Sequence, residues 1–462
     1  MTAGVLKKQT ITNNVLDDEK EYKYWRIRIF YAMYIGYVCF YLTRKSFTFA
    51  MPAMIQELSF TKADLGFLGS TLYITYGISK FVSGVLSDRA NPRFFMSIGL
   101  MLTGVCNILF AKSTSLIFFA IIWGLNGFFQ GWGLPPATKQ MAYWFTQKER
   151  GFWWSIFSTS NNVGGALAPV VVALILSQLN WQWAMYIPGI VSICLGLWLL
   201  ERMRGTPQSM GFRLGLEEKK SESSDSAKDI LINLVLKNQA IWILAFAFFS
   251  IFVIRTAVSD WAVLYLQQAK SYSLLKAASA VSWFEIGGFF GCLIAGWGSD
   301  KLFNGERIPY VLFSAIAAGI SVSLFWLSPS YGLVVDSALL ALIGGSIFGP
   351  QMLIGLASAE FVEKKAACTA SGFTGGFGYL GAAVTGYPLG KIVDIWGWSG
   401  YFICIITSAV LLFLLLIPLA KHSDSKRRAA SKSKFEFSEI KKPMQRQEMV
   451  SFAKTRANGR KI

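Results

Sequence analysis

The sequence predicts an all-α polytopic membrane protein with twelve transmembrane helices arranged as two pseudo-symmetric six-helix bundles. Composition is the first ground: of 462 residues, 53% are hydrophobic, 15% aromatic and only 15% charged, with a mean hydropathy of +0.45, which no ordinary soluble domain shows. The second is a count of twelve apolar runs, each near the roughly 20 residues that cross a ~30 Å hydrocarbon core. The third is an internal repeat, in which charged and turn-forming landmarks recur 211 to 215 residues apart.

Taken in order, residues 1–26 hold Lys7, Lys8, Asp17, Asp18, Glu19 and Lys20 ahead of Tyr24-Trp25-Arg26. They lack the apolar core and cleavage site of a signal peptide and are expected to remain cytoplasmic. The first bundle, 27–201, contains runs at about 27–52, 63–86, 94–112, 114–143, 152–178 and 182–201. A polar linker, 202–238, includes Glu217-Glu218-Lys219-Lys220-Ser221-Glu222-Ser223-Ser224-Asp225 and reads as a tether between bundles that move. The second bundle, 239–420, contains runs at about 239–267, 274–298, 308–328, 332–361, 367–393 and 397–420. The tail, 421–462, carries thirteen basic and four acidic residues and is expected to be a disordered, surface-associated segment.

An even number of spans places both termini on one side. Basic residues crowd that side's loops, the linker and the tail, whereas the opposite loops hold only Lys62, Lys112 and Lys270, so the termini are expected inside. The formal charge of +18 therefore reads as topology in a lipid bilayer rather than as nucleic-acid binding. The six cysteines lie within apolar spans without C-x-x-C spacing, and the single histidine, His422, follows the last run. No metal, no cofactor and no enzymatic dyad is expected from such a set.

Two stretches place a fixed charge within an apolar run: Tyr41-Leu42-Thr43-Arg44-Lys45-Ser46 and Ile251-Phe252-Val253-Ile254-Arg255-Thr256. Arginine at bilayer depth costs roughly 2.5 to 3.5 kcal/mol on insertion scales, so it is ordinarily aimed at a cavity, a partner or a ligand. Arg44 and Arg255 lie 211 residues apart. Ser87-Asp88-Arg89 with Arg93 matches Ser299-Asp300-Lys301 with Arg307 at an offset of 212; Pro135 matches Pro350, and Trp181-Gln182-Trp183 matches Trp396-Gly397-Trp398, both at 215. Two six-helix halves in parallel repeat follow. In the short loops Asp88, Arg89, Arg93 and Asp300 read either as a gate, whose arginines reach helix termini or the acid, or as topology signals alone.

The motifs Tyr41 to Phe47, Tyr76-Gly77-Ile78-Ser79-Lys80-Phe81, Ser87 to Arg93, Gly131-Trp132-Gly133-Leu134-Pro135-Pro136, Gln147 to Gly151, Asn162-Val163-Gly164-Gly165, Asp300 to Arg307 and Gly349 to Gly355 together resemble the organophosphate:phosphate antiporters of the major facilitator superfamily. The similarity spans about Tyr22 to Leu419 and is nearest to the bacterial hexose-phosphate sensor/transporter branch. It implies a major facilitator fold in a bacterial inner membrane, a monomer, and exchange of a sugar phosphate, glucose 6-phosphate foremost, for inorganic phosphate. Arg44 and Arg255 are implied as the two phosphate ligands, and the planar fork of guanidinium suits phosphate oxygens.

The resemblance also implies a network of Lys45, Asp260 and Glu285 between the halves, with a static salt bridge as the alternative. Sugar contacts are implied for Tyr37, Tyr41, Tyr76, Lys80, Asn162 and Tyr379, and the spacing of Tyr37, Tyr41 and Arg44 puts them on one helical face; core packing is the competing role for each aromatic. Three departures stand out. Phe252, one turn before Arg255, lacks a donor. Asn161 replaces the histidine of the glycerol-phosphate branch; it is still able to bond phosphate or hydroxyl but unable to titrate. Residues Gly381 to Gly386 lack the charges of the hexose-phosphate antiporters. A receptor for external glucose 6-phosphate that signals through a membrane histidine kinase is the alternative function.

Overall fold

The computed structural model describes residues 2–212, 230–303, 305–328, 332–363 and 366–420; most of the linker and the whole tail fall outside these. The described residues are overwhelmingly helical, and no strand occurs among them. The first half comprises α1 (Thr2–Leu58), α2 (Lys62–Arg89), α3 (Pro92–Ala111), α4 (Leu116–Gln130), α5 (Leu134–Trp144), α6 (Gln147–Leu176) and α7 (Trp181–Arg202). The second comprises α8 (Gln239–Lys270), α9 (Leu274–Lys301), α10 (Arg307–Leu327), α11 (Leu333–Glu360), α12 (Ala367–Val384) and α13 (387–420).

Local chemistry fixes where these helices begin. Thr61 and Asp64 form a reciprocal capping box at α2, the Asn91 side chain accepts from the Arg93 N–H ahead of α3, and Ser115 accepts from the Phe118 N–H at α4. Each satisfies a backbone donor that the first helical turn leaves without a partner. The run expected at 114–143 divides into α4 and α5 at Gly131–Gly133, because Pro135 and Pro136 lack the N–H groups needed to continue the α4 hydrogen-bond ladder.

Among the described residues, nine segments are apolar and long enough to cross a membrane. The last, Thr369–Ala420, has 52 residues, about 78 Å of helix at 1.5 Å per residue. That is enough for two crossings, and the chain turns within it at Thr385-Gly386 and at Gly397, where φ is +63°. α1 and α2 are less apolar because of their tyrosines and charged groups, yet each packs within its bundle as the other helices do.

The two halves repeat their packing. α2 lies on α4 as α9 lies on α11, and both seams depend on glycine. A Cβ at Gly127 would overlap the Leu72 carbonyl, and one at Gly344 would overlap the Phe284 carbonyl. Lipid supplies no hydrophobic drive between helices, so close backbone approach through small residues holds such a seam. Between the halves α1 meets α8, α2 meets α12 and α6 meets α9.

Candidate functional site

Arg44 is set by α1. Its guanidinium stands 4.1 Å from the Tyr41 ring centroid and 5.4 Å from that of Tyr76, so the helical spacing of Tyr41 and Arg44 becomes a stacked contact that favours a cation over an aromatic face. The helix is held in rotation by a buried amide chain. Gln130 Nε2 donates to Thr43 Oγ1 at 3.0 Å and to Asn126 Oδ1 at 3.2 Å; Asn126 Nδ2 donates to Asn107 Oδ1 at 2.8 Å, and Asn107 Nδ2 donates to the Thr43 carbonyl at 3.2 Å. These four side chains are almost fully buried, and their mutual bonds remove the penalty of burying them.

Arg255 is set by α8. Its Nη1 donates to Gln351 Oε1 at 3.0 Å, and its guanidinium lies 4.4 Å from the Phe348 ring and 5.8 Å from that of Phe252. Phe252 therefore offers its ring to the guanidinium and packs against Phe248 and Tyr379. Tyr37 is buried against Tyr41 at 6.0 Å and Phe157 at 5.3 Å. Tyr76 and Tyr379 pair across the halves at 4.8 Å, and Lys80 Nζ sits 4.6 Å from the Tyr379 ring.

The carboxylates divide into two separate contacts. Lys45 Nζ donates to Asp260 Oδ1 at 2.6 Å and to Ser259 Oγ at 2.7 Å, while Tyr73 donates to Asp260 Oδ2 at 2.6 Å. Glu285, expected in the same network, makes no direct ion pair among the described residues; Asn162 Nδ2 donates to its backbone carbonyl at 3.2 Å and to its carboxylate at 3.5 Å. It sits on α9 against α6, where Gly165 is small enough to admit it. Among the described residues, the buried Asn161 Oδ1, beside Asn162, and the buried Arg44 Nε have no hydrogen-bond partner.

Away from the face that carries the N-terminal segment, the halves are clasped. The Ala63 N–H donates to Asp394 Oδ2 at 2.8 Å, Ser70 donates to the Ala383 carbonyl at 2.6 Å and accepts from the Tyr387 N–H at 2.8 Å, and Ser282 donates to the Ala166 carbonyl at 2.9 Å. Toward the other face a cavity of about 270 Å³ separates α2 and α5 from α12, with Lys80, Thr138, Ser371 and Tyr379 in its walls. The expected loop contacts stay within single halves. Arg93 Nε donates to the Leu200 carbonyl at 2.5 Å, and Arg307 pairs with Asp300 at 2.6 Å. Each of these two unions joins residues of one half only. The side chains of Asp88 and Arg89 lie outside the described residues.

Sequence reasoning missed Gln351, Tyr73 and Ser259. Gln351 follows Pro350 within a motif already singled out, and Tyr73 precedes Tyr76 by three residues on α2, which places both on one face. Ser259 carried no signal of its own.

The sequence matches the Major Facilitator Superfamily over residues 33–386. It is 50% identical over 430 residues to a probable hexose phosphate transport protein of Chlamydia pneumoniae, covering 89% of this chain and 94% of that one. It is 44% identical to the membrane sensor protein UhpC of Escherichia coli (87% and 93% covered) and 38% identical to a glycerol-3-phosphate transporter of Bacillus subtilis (87% and 94% covered). Among solved structures, an inward-facing bacterial homologue of the human lysosomal transporter Spinster superposes with a TM-score of 0.68 at 16% identity, covering 85% of this chain and 95% of that one, a likeness of fold. With a repeat of six helices, an arginine in the first helix of each half and relatives of this similarity across nearly its whole length, the chain belongs to the organophosphate:phosphate antiporter branch of the Major Facilitator Superfamily.

Proposed function

We propose that the chain exchanges a hexose phosphate, glucose 6-phosphate foremost, for inorganic phosphate across a bacterial inner membrane, working as a monomer by alternating access with both termini in the cytoplasm. One observation carries this reading: a run of rings joins the two guanidinium groups across the halves, with Tyr76 5.4 Å from Arg44 and 4.8 Å from Tyr379, and Phe252 5.6 Å from Tyr379 and 5.8 Å from Arg255. A guanidinium from each bundle thus serves one dianion. The unpartnered Arg44 Nε and Asn161 Oδ1 are a donor and an acceptor that a phosphate oxygen and a sugar hydroxyl satisfy. Tyr37, Tyr76, Lys80, Asn162 and Tyr379 complete the pocket. The relatives named for hexose phosphate transport, at about half identity, support the hexose.

Exchange follows from the electrostatics. An empty pocket that closed on both sides would bury two uncompensated cations, which is expensive in low dielectric. A bound phosphate neutralises them, so each passage between the two open forms requires an anion aboard. In this reading the 2.6 Å pair of Lys45 with Asp260 closes the outer side, and the cavity walled by Lys80 is where solute enters from the cytoplasm.

Proteoliposomes preloaded with phosphate are expected to take up labelled glucose 6-phosphate, and empty ones are not; equal uptake in both rejects obligatory exchange. The 44% identity to a membrane sensor protein favours one second reading, a receptor that binds external glucose 6-phosphate for a kinase. Binding by the purified chain without flux in either liposome selects it.

A further inference from the structure

The base of the first bundle carries positive charge that the solute path does not use. Arg28 of α1, Arg93 of α3, Arg202 at the end of α7 and Arg204 just beyond it converge around Glu201. Glu201 pairs with Arg28 and, at 2.8 Å, with Arg202; among the described residues it is the only carboxylate in ion-pair contact with any of the four. Arg204 Nη1 donates to the carbonyls of Glu201 at 2.6 Å and Met203 at 2.9 Å, and Arg93 reaches that of Leu200. These bonds satisfy the carbonyl end of α7 and leave Arg93, Arg202 and Arg204 more than half of their five N–H donors without an acceptor among the described residues, whereas Arg28 spends three, one on Tyr24 and two on Glu201. Arg28 Nε is buried without a partner among the described residues. The Arg204 pKa is pushed down, first by burial and then by the Arg93 and Arg28 charges, with Glu201 opposing.

The surroundings are those of a lipid interface. The Trp25 ring lies between Arg28 and Arg204, at 4.7 and 4.5 Å, and Trp198 lies 5.8 Å from Arg202. The Tyr31 hydroxyl accepts from Arg202 and the Tyr24 hydroxyl from Arg28. Indole and phenol rings concentrate at headgroup depth. Next to them along α1 and α7, Ile27 and Leu197 are 44% and 56% exposed and present an apolar surface to the hydrocarbon.

We infer that this junction of α1, α3 and α7 binds the phosphate headgroup of an anionic phospholipid, whose acyl chains lie along the exposed apolar flank. Basic pockets between spanning helices on the basic-loop side suit such headgroups, and a guanidinium fork matches phosphate oxygens where a lone ammonium does not. The apolar flank selects a lipid over free phosphate. A headgroup held there ties α1 to α7 at the foot of the bundle, on the far side of α1 from Arg44.

Native mass spectrometry of the purified full chain tests this, with phosphatidylglycerol, phosphatidylcholine of the same acyl chains and inorganic phosphate as probes. The unmodified chain is expected to retain phosphatidylglycerol at least tenfold more tightly than phosphatidylcholine, and equimolar phosphate is not expected to displace it. Arg202→Gln with Arg204→Gln should lower phosphatidylglycerol affinity about tenfold and leave phosphatidylcholine unchanged. Arg150→Gln, which removes a cation that caps the Ala142 and Phe145 carbonyls, should lower neither. Equal retention of the two lipids by the unmodified chain, displacement by phosphate, or an equal loss with Arg150→Gln overturns the assignment.

Discussion

Asp260→Asn tests the outer clasp most directly. The carboxylate takes Lys45 at 2.6 Å and Tyr73 at 2.6 Å, and the side chains of Lys45 and Asp260 are only 8% and 11% exposed. Removing one partner from a buried pair costs about 3 to 5 kcal/mol, because the other charge is left buried and unpaired. Ser259 still accepts from Lys45 at 2.7 Å, so the lower end applies. The outer-closed form is therefore expected to lose about 3 kcal/mol relative to any form in which Lys45 meets water, roughly a hundredfold change in their ratio at about 1.4 kcal/mol per decade. Spin labels at Leu179 and Leu275, both exposed at the ends of opposite halves away from the N-terminal segment, report the change as a longer electron–electron distance. Lys45→Met added to Asp260→Asn removes the orphan charge and should recover much of the closed population. A distance distribution unchanged in Asp260→Asn, or a double variant no more closed than the single one, refutes the reasoning.

Arg44→Lys and Arg255→Lys keep the charge and lose the fork; each should weaken hexose phosphate binding about 10 to 150-fold, the worth of a charge-assisted hydrogen bond at 1.5 to 3 kcal/mol, and near-normal affinity by calorimetry contradicts the assignment. Asn126→Leu strands the Asn107 and Gln130 amides and should lower stability by about 1 to 3 kcal/mol, read as a lower Tm in detergent. Gly386→Val places a side chain on Ser70 and the Gly66 carbonyl, so it should prise the outer seam open and lengthen the same spin-label distance. The Tyr272 hydroxyl, between α8 and α9, has its pKa pushed up to about 12 by burial and by its hydrogen bond to Asp336. A raised folded-state value means stability intact below the ordinary pKa near 10 and lost as pH climbs toward 12; Tyr272→Phe should flatten that alkaline limb in a denaturation series.

The division into two bundles, the approximate extent of each span and the placing of Arg44 with Tyr41 on one helical face were legible from sequence, because each depends on periodicity within a single segment or on a repeat of fixed length. Bilayer thickness sets the length of an apolar run, and 3.6 residues per turn sets which side chains share a face. Other contacts had no local signature. Lys45 and Asp260 were named together from family resemblance, whereas Tyr73 as a second donor to Asp260, Gln351 as the partner of Arg255 and Asn162 as the neighbour of Glu285 emerged only from the packed halves. These residues come from different helices and touch only when α1 meets α8, α8 meets α11, and α6 meets α9. The sequence by itself determined which charges are kept within the bilayer; the tertiary structure alone decided how they are partnered and which face is clasped, because the rigid-body arrangement of two bundles is a property of surfaces far apart in the chain, and no segment encodes it alone.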